Sequence, residues 1–258
     1  MQTKKGTPSR PVKRAPRRSV LSDEIYEMIK AMIFDHEIAP GSRVNIDALA
    51  VQLDVSQTPV REALARLESD GLIAKEPLKG YKATDLLSIK EFNDLFQFRL
   101  LIEPWAAEQA AKLIDNTGKT ALKAEMQSAK TALKISGDDQ IQALAEHDSR
   151  FHALIANISG NQTVAESYER IHCHLHLFRL FMANKLHRVE GERSAKYIQD
   201  LFEDYYESGS GQLALKEHDV IAKAIIEQNS KAARTAMHAH IESSLKRFSP
   251  AAQAINKK

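Results

Sequence analysis

Apolar residues first fall into a helical rhythm at Ile25, Ile29, Met32 and Ile33, which predicts a helix over 22–36 with Ser22 as its cap. Ala39-Pro40-Gly41 stops that helix and turns the chain. A shorter stripe follows, with Ile46, Leu49, Ala50 and Leu53 on one face. From Val60 it resumes at Leu64 and Leu67, so these three form the buried side of a second short helix. Thr58, Glu62, Ala65 and Ser69 take the opposite face, with Gln57 and Arg61 at the border of the first turn. Ser56 suits the N-cap, and Pro59 is tolerated in a first turn, where amides have no helical partner. Two helices joined by Asp54-Val55-Ser56 make a helix-turn-helix, a motif whose second helix lies in the major groove of DNA.

After Asp70-Gly71 the period shortens. Residues 72–74 and 81–84 read as strands around the turn 76–80, a hairpin wing. Lys79 and Lys82 on it reach towards phosphate, and Gly80 permits close backbone approach. From Ser88 the pattern is almost wholly helical, with segments at 88–114, 118–136, 139–158, 162–187, 193–208, 212–228 and 230–247. Breaks fall at Ser159-Gly160-Asn161 and Ser208-Gly209-Ser210-Gly211, and no fixed-period repeat is present. Long helices with short connections predict an all-α antiparallel bundle of about seven helices. The expected fold class is therefore mostly α, a winged helix-turn-helix followed by a helical bundle.

Charge refines this division. Residues 1–19 carry seven Lys or Arg, three prolines and no acid, which reads as a disordered basic arm. It is either a source of non-specific phosphate attraction or a solubilising tail. Residues 20–85 hold seven basic and twelve acidic residues, a net charge of −5, and 86–258 balances to zero. Bulk electrostatics thus do not bring this head to DNA. The task falls to the placement of Arg43, Arg61, Arg66, Lys79 and Lys82, together with the arm. No apolar run approaches the roughly 18 residues of a membrane span, and the N-terminus lacks the apolar core of a signal peptide. One cysteine, Cys173, excludes an internal disulfide framework and fits a reducing cytoplasm.

The segment 21–85 resembles the winged helix-turn-helix of GntR-type bacterial transcription regulators. The resemblance rests on Pro40-Gly41-Ser42-Arg43, Leu49-Ala50, the run 55–64, and Leu67-Glu68-Ser69-Asp70-Gly71-Leu72. It implies DNA contacts from Arg43, Ser56, Gln57, Thr58, Arg61, Arg66, Lys79, Gly80 and Lys82. Gln57 stands where many relatives carry Arg; Gln pairs bidentately with adenine where Arg favours guanine. The second half resembles the FCD effector domain of the FadR branch, through the run 98–103, the run 148–152, Ser159-Gly160-Asn161, the run 218–221 and the run 236–241. The segment 193–208 then reads as the extra helix of a seven-helix subtype. The expected domains are the arm at 1–19, the DNA-binding head at 20–85, an effector-binding and dimerisation domain at 86–250 and a flexible tail at 251–258.

Asp148 and His152, at i and i+4, project from one helix face about 6 Å apart. His218 and His240 lie on two later helices among apolar neighbours. One carboxylate and three imidazoles suit Zn²⁺, Ni²⁺, Fe²⁺ or Mn²⁺. With ten histidines in the chain, helical spacing also arises by chance, and His174 or His176 can substitute for one ligand. His238 points outward, and His172, His174 and His176 splay too widely to share an ion. The resemblance implies that Asp148, His152, His218 and His240 bind the metal, with open positions for a small carboxylate effector. It further implies that Arg99 and Glu103 line the effector cavity; an Arg99–Glu103 ion pair that ties the helices together is the alternative. Arg150 and Asn161 carry the same ambiguity, Asn161 as a helix cap. The expectation is a cytoplasmic homodimeric regulator, a repressor of a catabolic operon, that meets the half-sites of a pseudo-palindromic double-stranded operator and is not an enzyme. A metal-responsive regulator, or a metal-dependent hydrolase that activates water, is the alternative.

Overall fold

A computed structural model of the chain describes residues 17–34, 36–135, 138–174, 176, 177, 179 and 210–255. The head contains α1 (Arg17–Phe34), β1 (Arg43–Val44), α2 (Ile46–Gln52), α3 (Gln57–Ser69), β2 (Ile73–Glu76) and β3 (Gly80–Ala83). Ile25, Ile29 and Ile33 of α1 and Val60, Leu64 and Leu67 of α3 are all buried, as their spacing requires. Helix α1 starts at Arg17, so Ser22 is a buried residue within it rather than its cap. The arm lies outside the described residues up to residue 16, and its last three residues are helical.

The sheet runs in the order β1-β3-β2, antiparallel throughout, with Arg43 opposite Lys82 and Ile73 opposite Ala83. The wing strands are 73–76 and 80–83, which shrinks the loop to Pro77-Leu78-Lys79. The end of α3 is fixed by its own backbone. Leu72 N–H donates to Leu67 O at 2.9 Å, and Gly71 N–H donates to Glu68 O at 3.1 Å. That closure needs a left-handed residue, and Gly71 supplies it at φ 70°.

The bundle comprises α4 (Ile89–Leu113), α5 (Asn116–Ala132), α6 (Asp138–Ile158), α7 (Gln162–Arg170), α8 (Ser210–Ile226) and α9 (Ser230–Ile255). Ser88 and Glu91 form a reciprocal capping box at the start of α4. Phe92 and Phe96 of α4, Phe151 and Ile155 of α6, Ile221 and Ile225 of α8, and Met237 and Ile241 of α9 share the core with the alanines of α4.

Two expectations fail. The helix expected over 162–187 breaks at Ile171–His172, where His172 takes φ 42°, and helical geometry resumes at Cys173. Helix α9 continues to Ile255, burying Phe248 and Ala252, so the expected tail is helical up to that residue. The segment 193–208 lies outside the described residues. No described helix is long and apolar enough to cross a membrane.

Candidate metal centre and DNA-reading face

Three helices bring the four sequence-selected residues together: Asp148 and His152 from α6, His218 from α8 and His240 from α9. One ligand atom from each lies within 4.8 Å of the others. The histidines are 1–2% exposed. Each imidazole is oriented by a partner at Nδ1. His152 Nδ1–H donates to Glu103, which also accepts from Arg99 Nε at 2.5 Å. His240 Nδ1–H donates to Glu217 Oε2 at 2.8 Å, and Arg247 holds that carboxylate at 3.0 and 3.1 Å.

His218 is set through a relay. Glu125 accepts from His147 Nδ1–H at 2.8 Å, which leaves His147 Nε2 to accept from His218 Nδ1–H at 3.0 Å. Phe151 stacks on the His218 ring with centroids 4.1 Å apart. All three Nε2 lone pairs therefore face inward, the arrangement that outer partners impose on metal-binding histidines.

The centre's dimensions suit a cation. With metal–nitrogen bonds of about 2.1 Å, two ligand nitrogens stand about 3.0 Å apart at a right angle and about 3.4 Å apart at a tetrahedral angle. His218 Nε2 and His240 Nε2 are 3.3 Å apart. Asp148 Oδ1 lies 3.2 Å from His218 Nε2 and 3.8 Å from His152 Nε2. His152 Nε2 is buried without a hydrogen-bond partner, a costly state unless a cation completes it.

Protonation agrees with this. Burial presses His152 well below the usual imidazole range against the pull of Glu103. Burial likewise brings His240 down to about 4 despite Glu217. Burial opposes the charge on Asp148, yet His174, whose Nδ1 abuts its second oxygen, holds the carboxyl well below the usual range. Neutral imidazoles and an ionised carboxylate are the forms that ligate.

The remaining sequence-selected residues are placed unequally. Arg99 is 1% exposed; its Nε is taken by Glu103, while both terminal nitrogens are buried with no oxygen bonded to them, beside the Cys173 thiol. Arg150 stands outside the centre, half exposed, bonded to Glu125 at 3.1 to 3.3 Å. It braces the His218 relay through Glu125. Asn161 caps α7, accepting from Val164 N–H at 3.2 Å, and is exposed. His174 stands beside the four: its Nδ1 abuts the second oxygen of Asp148, and Tyr168 bonds its Nε2. His176 lies beside Gly71, and His238 is exposed opposite Glu242. Sequence reasoning missed His147, Glu125, Glu217 and Arg247. The only local sign was an ionisable residue directly before each of Asp148 and His218.

On the head, Ser56, Gln57, Thr58 and Arg61 are exposed together at the start of α3. Ser56 sits at the N-cap position, but its hydroxyl makes no cap bond. Gln57 Nε2 donates to Asp47 of α2, and its Oε1 accepts from Arg61 at 3.0 Å. Arg43 is exposed on β1 opposite Lys82, which pairs with Asp85 at 3.0 Å. Lys79 lies 3.8 Å from Glu76, and beside it Gly80, at φ 89°, is open on its Cβ side. Arg66 departs from the expectation. Its guanidinium bonds Asp23 at 2.5 Å and lies over the Tyr26 ring at 4.2 Å, so it ties α3 to α1.

Comparison with known proteins accounts for both halves. Residues 94–243 match the FCD domain, and residues 21–82 match the gntR family of bacterial regulatory proteins. The uncharacterized HTH-type transcriptional regulator YdhC of Bacillus subtilis is 25% identical over 217 residues, covering 84% of this chain and 86% of its own length. The putative L-lactate dehydrogenase operon regulatory protein of Escherichia coli is 26% identical over 260 residues, covering 90% and 88%. The HTH-type transcriptional repressor RspR of Escherichia coli is 27% identical over 151 residues, covering 58% of this chain and 64% of its own length. Among solved structures, McbR/YncC of E. coli shares the fold with a TM-score of 0.61 at 16% identity, covering 88% of this chain and 96% of its own. These relatives are transcription regulators, not enzymes, and the hydrolase alternative falls away. The chain belongs to the GntR family of bacterial transcription regulators, in the FadR-like branch whose DNA-binding head is followed by an FCD domain.

Proposed function

We propose that this regulator is a cytoplasmic homodimeric repressor that holds a divalent transition metal at Asp148, His152, His218 and His240 and senses a small carboxylate there. The observation that carries this reading is the convergence of three inward Nε2 lone pairs and one carboxylate oxygen, each imidazole braced from behind. Zn²⁺, Ni²⁺, Fe²⁺ and Mn²⁺ all accept such a set. When bound, the metal supplies Lewis-acid positions for an anionic oxygen. Arg99 supports the effector half, because its guanidinium fork suits a carboxylate and its terminal nitrogens lie buried beside the Cys173 thiol with no oxygen bonded to them. Glu103 holds Arg99 and His152 in one array, so the anion's charge and the ligand geometry are read together. A relative named for an L-lactate dehydrogenase operon, and another named a repressor, support the catabolic repressor role.

For DNA, Ser56, Gln57, Thr58 and Arg61 read bases or phosphates from α3, while Arg43, Lys79, Gly80 and Lys82 hold the backbone, with the arm at 1–19 adding phosphate attraction. Two heads in a dimer meet half-sites about one helical turn apart. The effector acts only by binding one arrangement of the heads better than the other.

The test is metal analysis of the purified chain, followed by thermal-shift and gel-shift titration with small carboxylic acids. One acid is expected to stabilise the metal-loaded chain and release operator DNA, and His218→Ala to abolish both effects. Operator release by metal alone would make the metal itself the signal. Absence of any tightly held metal would overturn the reading. Arg61→Ala is expected to weaken operator binding, and unchanged binding would remove Arg61 from the interface.

A further inference from the structure

The recognition helix is held at its far end by the effector domain. Closure of α3 uses the carbonyls of Arg66, Leu67 and Glu68, which accept from Asp70, Leu72 and Gly71. The Ser69 carbonyl is left over, at the negative end of the helix. His172, 103 residues later, fills it: its Nε2 donates to Ser69 O at 2.7 Å. A side chain on Gly71 would meet the His172 and His176 rings at 3.4 and 3.7 Å, so the two surfaces are in close contact.

A second grip follows on the same stretch. Arg179, 1% exposed, donates to Thr84 Oγ1 at 2.7 Å and to Thr84 O at 2.6 Å. Thr84 in turn donates to the carbonyls of Gly71 and Leu72 at 2.8 and 3.1 Å. Both grips therefore end on the residues that close α3 and open the wing. A buried arginine that donates to a hydroxyl and a carbonyl recovers less of its desolvation cost than one bonded to a carboxylate, which favours a contact that can be released.

The same stretch touches the centre. His174, two residues beyond His172, lies against Asp148 Oδ2, while Asp148 Oδ1 faces the ligand nitrogens. His172 O accepts from His176 N–H at 3.1 Å, so the latch residue opens the turn that carries His174. A cavity of about 140 Å³, lined by Lys30 and Phe34 of α1, Glu146 and Ser149 of α6 and by His174, gives that ring room to move.

We propose that His172, His174 and Arg179 form the coupling element of this regulator: engagement of Asp148 at the centre shifts His174, and the shift loosens or tightens the hold of His172 and Arg179 on the end of the recognition helix. This rests on the metal reading above. It adds a route, and it predicts that linkage between centre and head passes through residues that touch neither metal nor DNA.

The experiment is amide hydrogen exchange on the full-length chain, with Zn²⁺ and after chelation, alongside direct measurement of Zn²⁺ affinity. In the wild type, Zn²⁺ is expected to change exchange at residues 69–72 and 84 by about fivefold, the worth of roughly one hydrogen bond. In His172→Ala the change at 69–72 should vanish, and Zn²⁺ should still bind, with its affinity shifted by no more than about the same fivefold, as reciprocity requires. Thr84→Val, which removes the hydroxyl half of the second grip and leaves the Arg179 bond to the residue-84 carbonyl, should diminish the change at residue 84 and serves if His172→Ala fails to fold. Zn²⁺ binding with no change at 69–72, or a change that survives both variants, would overturn the coupling element alone. Failure to bind Zn²⁺ would overturn the metal reading and the coupling element together.

Discussion

Glu103→Ala separates the stabilising role of the buried array from its role in orienting a ligand. Glu103 is 4% exposed and lies between Arg99, 1% exposed, and His152, 2% exposed. It accepts from Arg99 Nε at 2.5 Å and from His152 Nδ1–H. Burial alone would raise its carboxyl, but Arg99 and His152 hold it far below the usual range, so its charge is needed by both neighbours. Removal leaves the Arg99 guanidinium buried with no counter-charge, a situation that costs about 3–5 kcal/mol. In a chain of this size that lowers Tm by roughly 2–4 °C per kcal/mol. It also frees His152 to rotate, and loss of an outer partner typically costs about 10- to 100-fold in metal affinity.

The double variant Arg99→Met with Glu103→Leu removes both charges and refills the volume. It should recover most of the stability, since an apolar pair replaces a buried ion pair at little net cost. It should not recover metal affinity, because His152 Nδ1 still lacks its acceptor. Thermal melting of the metal-free proteins gives the first quantity, and competition with a chromophoric chelator at neutral pH gives the second. Metal affinity within about twofold of wild type in both variants would show that Glu103 does not orient His152.

Acid should weaken the metal-free protein. His240 is held at about 4 against an ordinary 6.5, so between those values the unfolded chain binds more protons and stability falls as pH drops, by up to about 3 kcal/mol from this group. Glu217, held at about 2 mainly by His240 and Arg247 against burial, adds loss of the same sign further down. Urea midpoints at pH 7.5, 6 and 5 measure the window, and a flat series would refute it. On the head, Arg43→Ala should reduce the slope of log K against log salt by about 0.9. Arg66→Ala, whose guanidinium is engaged with Asp23 and Tyr26, should leave that slope unchanged and lower thermal stability instead; a reduced slope would return Arg66 to the DNA face. Gly71→Ala places a side chain at φ 70°, 3.4 Å from the His172 ring, and should cost about 1–2 kcal/mol, read as a lower melting temperature.

How much was legible follows from how far each feature reaches along the chain. The two motif helices are written in stripes of three or four residues, so Val60, Leu64 and Leu67 declare a buried face that tertiary structure only has to use. Strand β1 is two residues long and exists by pairing with β3, leaving no alternation to read. Asp148 and His152 were legible as an i, i+4 pair, whereas His218 and His240 owed their selection to family resemblance. The outer partners were hidden for a geometric reason. Successive residues on a helix point about 100° apart, so Glu217 braces His240 of the next helix, not its neighbour His218, and His147 reaches a histidine 71 residues away.

The break at Ile171–His172 is the most informative failure. No glycine or proline marks it, and local preference favours one continuous helix. His172 takes a left-handed conformation of the kind that costs a non-glycine residue about 1–2 kcal/mol, and the bond to Ser69 O across the domain junction offsets it. A local rule broken at a junction, and compensated by the partner domain, is where a conformational equilibrium can be biased with little energy. The break therefore places the adjustable joint between the centre and the recognition helix, on a residue that local periodicity gave no reason to choose.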